Sequence, residues 1–289
     1  MKAKPRGWGD QGALIGEPPA RRALATQGEG GLQFEQAIWR RGPYMLERDA
    51  GVLDGALQPE PVVGETWADF LNDTAGRHVR PEHAVEALER AQGGMVDEGC
   101  VGGGTGMRAY SFKAGIGTAS RRVPCGDAVY TVGVLAQANH GRRPQLQVDG
   151  VPVGEEIPEL LPQLGEKTKS LLVIIATDAP LLPIQLQRLC KRAALGMART
   201  GGISTHGSGD LLLAFSTAQR FMQEPVRRVQ ALANSEISWM YQGVVEAVEE
   251  AILNSLTMAY TMVGRDGNTI YALPLDRLVQ VMRAHGRLK

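Results

Sequence analysis

Apolar and polar positions alternate in blocks along this chain, and each block predicts an element. Residues 171–176 (Leu-Leu-Val-Ile-Ile-Ala) and 211–215 (Leu-Leu-Leu-Ala-Phe) are short unbroken apolar runs bounded by turn residues. That pattern predicts buried strands. Residues 61–67 and 130–138 also read as strands, the second rich in Val, and residues 108–113 alternate like one. Residues 146–153 enclose Asp149-Gly150, which predicts a hairpin around a two-residue turn. Helical periodicity marks residues 81–91, 182–197, 235–256 and 275–285. In the second of these, Leu186, Leu189, Cys190, Ala193 and Ala194 form the expected inner face, and Gln185, Arg188, Lys191 and Arg192 the outer one. Short strands mixed with long helices predict a layered α/β or α+β domain.

Residues 1–58 carry Pro-Pro, Gly-Glu-Gly-Gly and Arg-Arg pairs with little alternation, and read as loop, short helix or partial disorder. Residues 59–289 are expected to form a single domain. Residues 158–169 read as a loop. Lys plus Arg equals Asp plus Glu, 31 of each, so neither nucleic acid nor an anionic membrane is the expected partner. No segment reaches 18 consecutive apolar residues, so no membrane span is expected. The start, Met-Lys-Ala-Lys-Pro-Arg-Gly-Trp, lacks the apolar core of a signal peptide, and the expected location is the cytoplasm. Cys100, Cys125 and Cys190 form no Cys-x-x-Cys pair. Neither a zinc site nor a disulfide framework is implied, and no metal or organic cofactor is indicated.

Candidate chemistry concentrates between residues 199 and 217. There Gly207-Ser208-Gly209-Asp210 opens directly into the apolar run at 211. Ser208 therefore stands at the mouth of a strand with glycine on both sides, where another group can approach closely. A hydroxyl so placed is a candidate nucleophile that needs a base. It is not the Gly-x-Ser-x-Gly elbow, because residue 206 is His. A second glycine cluster, Glu98-Gly-Cys-Val-Gly-Gly-Gly-Thr-Gly-Met107, has no Gly-Lys-Ser/Thr ending and is not a phosphate loop. It reads as backbone that must pass close to something. The segment Asn139-His140-Gly141-Arg142-Arg143 reads as a solvated turn rather than a phosphate site. Thr177-Asp178-Ala179-Pro180 closes the 171–176 strand, and Asp178 there could cap the next helix.

These motifs, in this order, resemble the L-aminopeptidase/D-esterase family, which includes the β-peptidyl aminopeptidases. The likeness covers roughly residues 60–285. The resemblance implies an α-β-β-α sandwich related in fold to the ornithine acetyltransferases. It also implies self-cleavage between Gly207 and Ser208, after which Ser208 carries both the nucleophile and an α-amine that serves as its base. On the same resemblance, Tyr110 would donate to the oxyanion and Asp178 would stand where the family keeps an oxyanion-hole amide. Glu98 would meet the substrate ammonium, with Gly103 lining its pocket. Glu249 would assist the nucleophile, with Glu250 as the alternative if the alignment slips by one. The chain departs from the family at Cys100, where Asn is usual, and at Ala247, where Ser is usual. The implied function is a self-processing serine aminopeptidase acting on short peptides, aminoacyl amides or esters, working as a homo-oligomer of processed heterodimers. Two alternatives stay open: an acyltransferase of the ornithine acetyltransferase type, against which Ser rather than Thr at 208 speaks, and a non-catalytic scaffold.

Overall fold

The computed structural model of this chain describes residues 24–27, 62–76, 78–162, 170–219 and 228–288. Most of the N-terminal segment, and residues 163–169 of the expected 158–169 loop, lie outside them.

The framework is a four-stranded mixed sheet in the order β5-β6-β7-β8. Strands β5 (Ile116–Cys125) and β6 (Ala128–Ala138) form an antiparallel hairpin. Strand β7 (Leu171–Thr177) runs antiparallel to β6, and β8 (Leu211–Ser216) runs parallel to β7. A parallel neighbour needs a crossover, and helix α3 (Pro183–Arg199) supplies it. Helix α4 (Ile237–Thr257) packs against α3 and lies over β5 and β6. Gly117 permits that seat: a Cβ there would come 1.8 Å from the Ala251 carbonyl oxygen. Val132, Val134, Ala136 and Ala138 of β6 and Leu171, Val173 and Ile175 of β7 alternate into one core with Leu189, Ala193, Met240, Val244 and Val248 from the helices, following the two-residue period of a strand.

The opposite face carries a second, smaller sheet. Strand β1 (Leu24–Gln27) pairs in parallel with β2 (Val62–Glu65). A Cβ on Gly64 would sit 2.9 Å from Leu172 Cδ1 and 3.0 Å from Leu211 Cδ2, so β2 presses on β7 and β8 from this side. The result is a layered α/β fold, as the periodicities predict. Strand β1 falls inside the segment that shows no pattern, because four residues are too few to display a period. Helices α1 (Pro81–Glu89) and α5 (Leu275–Ala284), the two-residue strands β3 (Arg108–Ala109), β4 (Phe112–Lys113), β9 (Met262–Val263) and β10 (Thr269–Ile270), and the short helix α2 (Val153–Glu156) complete the described α-helices and strands.

Three expectations need correcting. Residues 108–113 are not one strand but β3 and β4 folded on each other through Tyr110 and Ser111, both at positive φ (51° and 60°). Strand β8 is half-exposed, with Leu211 and Phe215 the most open, because it lies at the sheet edge. Gln185 is buried rather than outward-facing: it accepts from Leu182 N–H at 2.9 Å and donates to the Leu232 carbonyl at 2.8 Å. The Asp149-Gly150 hairpin forms, with both residues at positive φ between bridged Val148 and Val151. Among the described residues no helix is long and apolar enough to cross a membrane.

Candidate active site

Ser208 enters the site from a tight turn. Its N–H donates to the Thr205 carbonyl at 2.8 Å, and Gly207 sits third in that turn with φ +85°. A positive φ at the third position belongs to a type II turn and favours glycine. The candidate scissile bond, Gly207–Ser208, is thus the last peptide of the turn. Ser208 Oγ donates to Asp210 Oδ1 at 2.8 Å. The same oxygen accepts Leu171 N–H at 2.8 Å, and Gly209 N–H donates to Ser170 Oγ at 3.1 Å. The start of β7 therefore grips the start of β8 and holds Ser208 in place. In front lies a polar cleft with about 350 Å³ of space, part of it open solvent, lined by His140, Arg142, Gln145, Thr205, Ser208 and Asp210 among others.

The back wall of the cleft is a buried relay. His140 Nε2 lies 3.1 Å from the Tyr110 hydroxyl, which lies 2.7 Å from Thr200 Oγ1. Thr200 Oγ1 also lies 2.8 Å from the Met197 carbonyl. The Tyr110 hydroxyl thus joins Thr200 to His140, whose Nδ1 is buried with no partner among the described residues. Burial pushes the imidazole down to about 4, against the pull of nearby Asp210, so His140 is neutral near pH 7. Burial likewise drives the Tyr110 phenol well above its ordinary range. Tyr110, expected to donate to an oxyanion, is fully buried, with its hydroxyl hydrogen-bonded between Thr200 and His140. It supports the wall behind the cleft.

The turn at 139–143 is not solvated. Asn139, His140 and Arg143 are all buried. The Arg143 guanidinium lies 3.3 Å from the Phe112 ring centroid and donates to five carbonyls, those of Tyr110, Ser111, Ile157, Glu159 and Leu160. Its charge is consumed by backbone, in keeping with a structural rather than a phosphate-binding role.

The glycine cluster packs onto β4 and β5. Residues Gly102–Gly104, Gly103 included, form a single 3₁₀ turn. Fully buried Lys113 donates through Nζ to Gly104 and Met107 carbonyls at 3.3 and 2.9 Å and to that of Ala114. Burial lowers its pKa. What this backbone passes close to is thus a lysine and a neighbouring strand. Glu98 Oε1 accepts Thr118 N–H at 2.7 Å and Thr118 Oγ1–H at 2.8 Å. Thr118, Leu135, Ile174 and Leu213 lie on one line across the sheet, so Thr118 is ~14 Å from Leu213 at three strand spacings. Glu98 is not brought to Ser208. Glu249 pairs with Arg199 at 3.0 Å, and Glu250 with Arg121 at 2.6 Å. Burial raises both carboxyls, and Glu98 adds to the effect on Glu250. Ala247 is fully buried.

Asp178 is at the wrong end of the sheet. It follows β7, accepts Thr131 N–H at 2.6 Å, and the residue before it is in register with Ser216, the last of β8. Ser208 precedes the first residue of β8, ~20 Å away along a strand. Nor does Asp178 cap α3, whose N-cap is Leu182. The site includes four residues that the pattern did not single out: Asp210, Ser170, His140 and Thr200. Only Asp210 carried a signal, its place two residues after Ser208. Among the described residues no cluster of three His, Cys, Asp or Glu side chains could hold a metal.

The profile of Peptidase family S58 matches residues 30–270, so it begins inside the segment where the motifs left no likeness. The β-peptidyl aminopeptidase BapA of Sphingosinicella microcystinivorans is 45% identical over 245 residues, 79% of this chain and 62% of that protein. This chain therefore spans less than two thirds of that relative's length. The L-aminopeptidase D-Ala-esterase/amidase of Ochrobactrum anthropi, described as a prototype of the serine aminopeptidases and a variant of the Ntn hydrolase fold, superposes with a TM-score of 0.83. It is 40% identical, over 91% of this chain and 73% of that one. A Burkholderia sp. β-aminopeptidase gives a TM-score of 0.80 at 40% identity, over 91% and 74% of the two chains.

Proposed function

The chain belongs to Peptidase family S58, and from that premise we propose that it is a self-processing serine aminopeptidase. It would cut itself between Gly207 and Ser208 and then release N-terminal residues from short peptides, aminoacyl amides or esters. The observation that carries this reading is Ser208 Oγ, hydrogen-bonded to a carboxylate at the mouth of an open polar cleft. After cleavage the Ser208 α-amine, with an ordinary pKa of roughly 7.7–8.0, would take the hydroxyl proton near neutrality. Backbone N–H groups at the cleft would hold the oxyanion, each contributing about 3 kcal/mol. Tyr110 and Thr200 position His140 in the wall. Glu249 holds the end of α3, the helix that delivers the Thr200–Ser208 segment, and so acts on the nucleophile through that segment. Glu98 and Gly103 belong to the packing of β5 and stay outside the reacting centre. Residues 59–289 would act as one catalytic unit in two chains, assembling into homo-oligomers in the cytoplasm, with a fold akin to that of the ornithine acetyltransferases.

Intact mass with N-terminal sequencing tests this directly. Two polypeptides, one beginning Ser208-Gly209-Asp210, are expected, together with hydrolysis of aminoacyl or β-aminoacyl p-nitroanilides. A single 289-residue chain with no amidase activity would overturn the proposal and favour a scaffold. Acetyl transfer to an amino acid without hydrolysis would favour the acyltransferase.

A further inference from the structure

Self-cleavage poses a problem that peptide hydrolysis does not. Before the Gly207–Ser208 bond is cut, the Ser208 nitrogen is an amide, and its N–H is bound to the Thr205 carbonyl at 2.8 Å. It cannot accept a proton. The base that serves the finished enzyme is therefore absent in the precursor, and the first bond must be broken with another group.

We propose that Asp210 is the general base of self-cleavage, a role distinct from that of the Ser208 amine in later turnover; the inference rests on the self-processing reading above. Asp210 Oδ1 is the acceptor of the Ser208 hydroxyl at 2.8 Å. Leu171 N–H holds that oxygen from the other side at 2.8 Å, so it is anchored to the sheet rather than to the turn. The second oxygen, Oδ2, is buried and accepts no hydrogen bond among the described residues. His140 also lines the cleft, but the Ser208 hydroxyl is turned to Asp210 instead.

The step balances as an N-to-O acyl shift. Ser208 Oγ attacks the Gly207 carbonyl carbon while its proton passes to Asp210 Oδ1. The C–N bond then breaks, and Asp210 returns the proton to the leaving nitrogen, which becomes the Ser208 amine. Gly207 is left as an ester on Oγ. Water hydrolyses that ester, giving the Gly207 carboxylate and the free Ser208 hydroxyl. Asp210 ends as it began, and the amine it has released takes over as base.

The test is Asp210→Asn in the full-length chain. The side-chain amide oxygen still accepts Leu171 N–H but cannot carry the proton. Precursor made in a short pulse of cell-free synthesis is followed by intact mass. Self-cleavage should slow by about 100-fold or more, the range for losing a general base. The loss in self-cleavage should exceed any loss of kcat on an aminoacyl p-nitroanilide in the fraction that does mature, because there the Ser208 amine is the base. Adding hydroxylamine, which cleaves esters, should not restore the rate, because the ester does not form. Asp210→Asn cleaving at the wild-type rate would overturn the proposal, as would rescue by hydroxylamine or equal losses in cleavage and hydrolysis. A second measurement covers a variant that does not fold. The wild-type precursor should cleave at a rate that does not follow hydroxide between pH 6 and 9, whereas proportionality to hydroxide would exclude a carboxylate base. Wild type that never cleaves sinks the self-processing reading itself; wild type that cleaves alongside an unaffected Asp210→Asn sinks only the role of Asp210.

Discussion

The two edges of the main sheet hold carboxylates in different company. At the β8 edge, Asp210 accepts a hydroxyl and a backbone N–H. At the β5 edge, Glu246 and Glu250 both engage Arg121, at 3.1 and 2.6 Å, while between the two helices Glu249 engages Arg199. A carboxylate locked on a guanidinium has its charge matched and no hydroxyl proton to take. One that accepts from a serine in an open cleft is placed for proton transfer. The difference separates the charges that hold α4 on the sheet from the charge that faces chemistry. If it is sound, substitutions at the β8 edge should change processing and those at the β5 edge should change mainly stability.

Ser208→Ala gives the largest expected effect. It removes the nucleophile, so the chain should remain whole by intact mass, and amidase activity should fall to the background of the uncatalysed assay. Cleaved, active Ser208→Ala protein would place the chemistry elsewhere, the β5 edge included.

The next effect concerns pH, and the two edges should respond with opposite sign. His140 is pushed down to about 4 by burial, whereas the unfolded chain binds that proton near the ordinary 6.5. Its contribution is therefore complete above pH 6.5 and is lost as pH falls through 4. The loss amounts to about 3 kcal/mol at most. Glu249 and Glu250 are raised by burial. Their contributions are present below the ordinary carboxylate range and decline as pH rises through the folded-state values. Urea melts between pH 4.5 and 7.5 on wild type and His140→Gln separate the two. The variant should lose most of the acid sensitivity, and an unchanged slope would show that His140 is not the group concerned.

Tyr110→Phe is expected to cost about 1–3 kcal/mol in urea melts, because it leaves His140 Nε2 buried without its hydrogen-bond partner. Processing should slow with it, by roughly tenfold, as the wall behind Ser208 loosens. Glu98→Gln, at the other edge, keeps an oxygen for Thr118 and should leave processing unchanged. Equal effects at the two positions would dissolve the distinction between the edges.

The main elements were legible in the sequence because they are long enough to show a period. The boundaries of α3, α4 and β7 fall within two residues of the predicted ones. What was hidden depended on partners distant in the chain. His140 looks solvated beside two arginines, yet it is buried against Tyr110, whose hydroxyl meets Thr200, 60 residues beyond His140. Tyr110 looks like a strand residue, but positive φ turns it inward. Ser208 stood out as a candidate by its flanking glycines together with the family resemblance of the segment. The role of Asp210 was not legible, because a carboxylate after Ser-Gly becomes informative only once its oxygen is seen between Oγ and the Leu171 N–H. Asp178 misled because the end of a strand is a plausible place for a site, and only the parallel pairing of β7 with β8 shows which end is occupied.

The smallest effect is expected from Glu249→Gln. Its partner Arg199 is half-exposed, with 51% of the side chain open, and such pairs contribute about 1 kcal/mol or less. Arg199 is the last residue of α3, and the next residue, Thr200, is hydrogen-bonded to the Tyr110 hydroxyl. Loss of the pair should thus reach Ser208 only through the slack of one helix end, and processing should change by less than about fivefold. Glu250→Gln removes one carboxylate from a more deeply placed Arg121, 20% exposed, which still pairs with Glu246. It should lower stability more than Glu249→Gln and alter processing no more. The pair also decides between the two alignments of the helical segment. A loss of kcat at unchanged KM confined to one of the two variants would mark that glutamate as the one that helps to position the nucleophile. Such a result would bring the β5 edge into the chemistry and end its separation from the β8 edge.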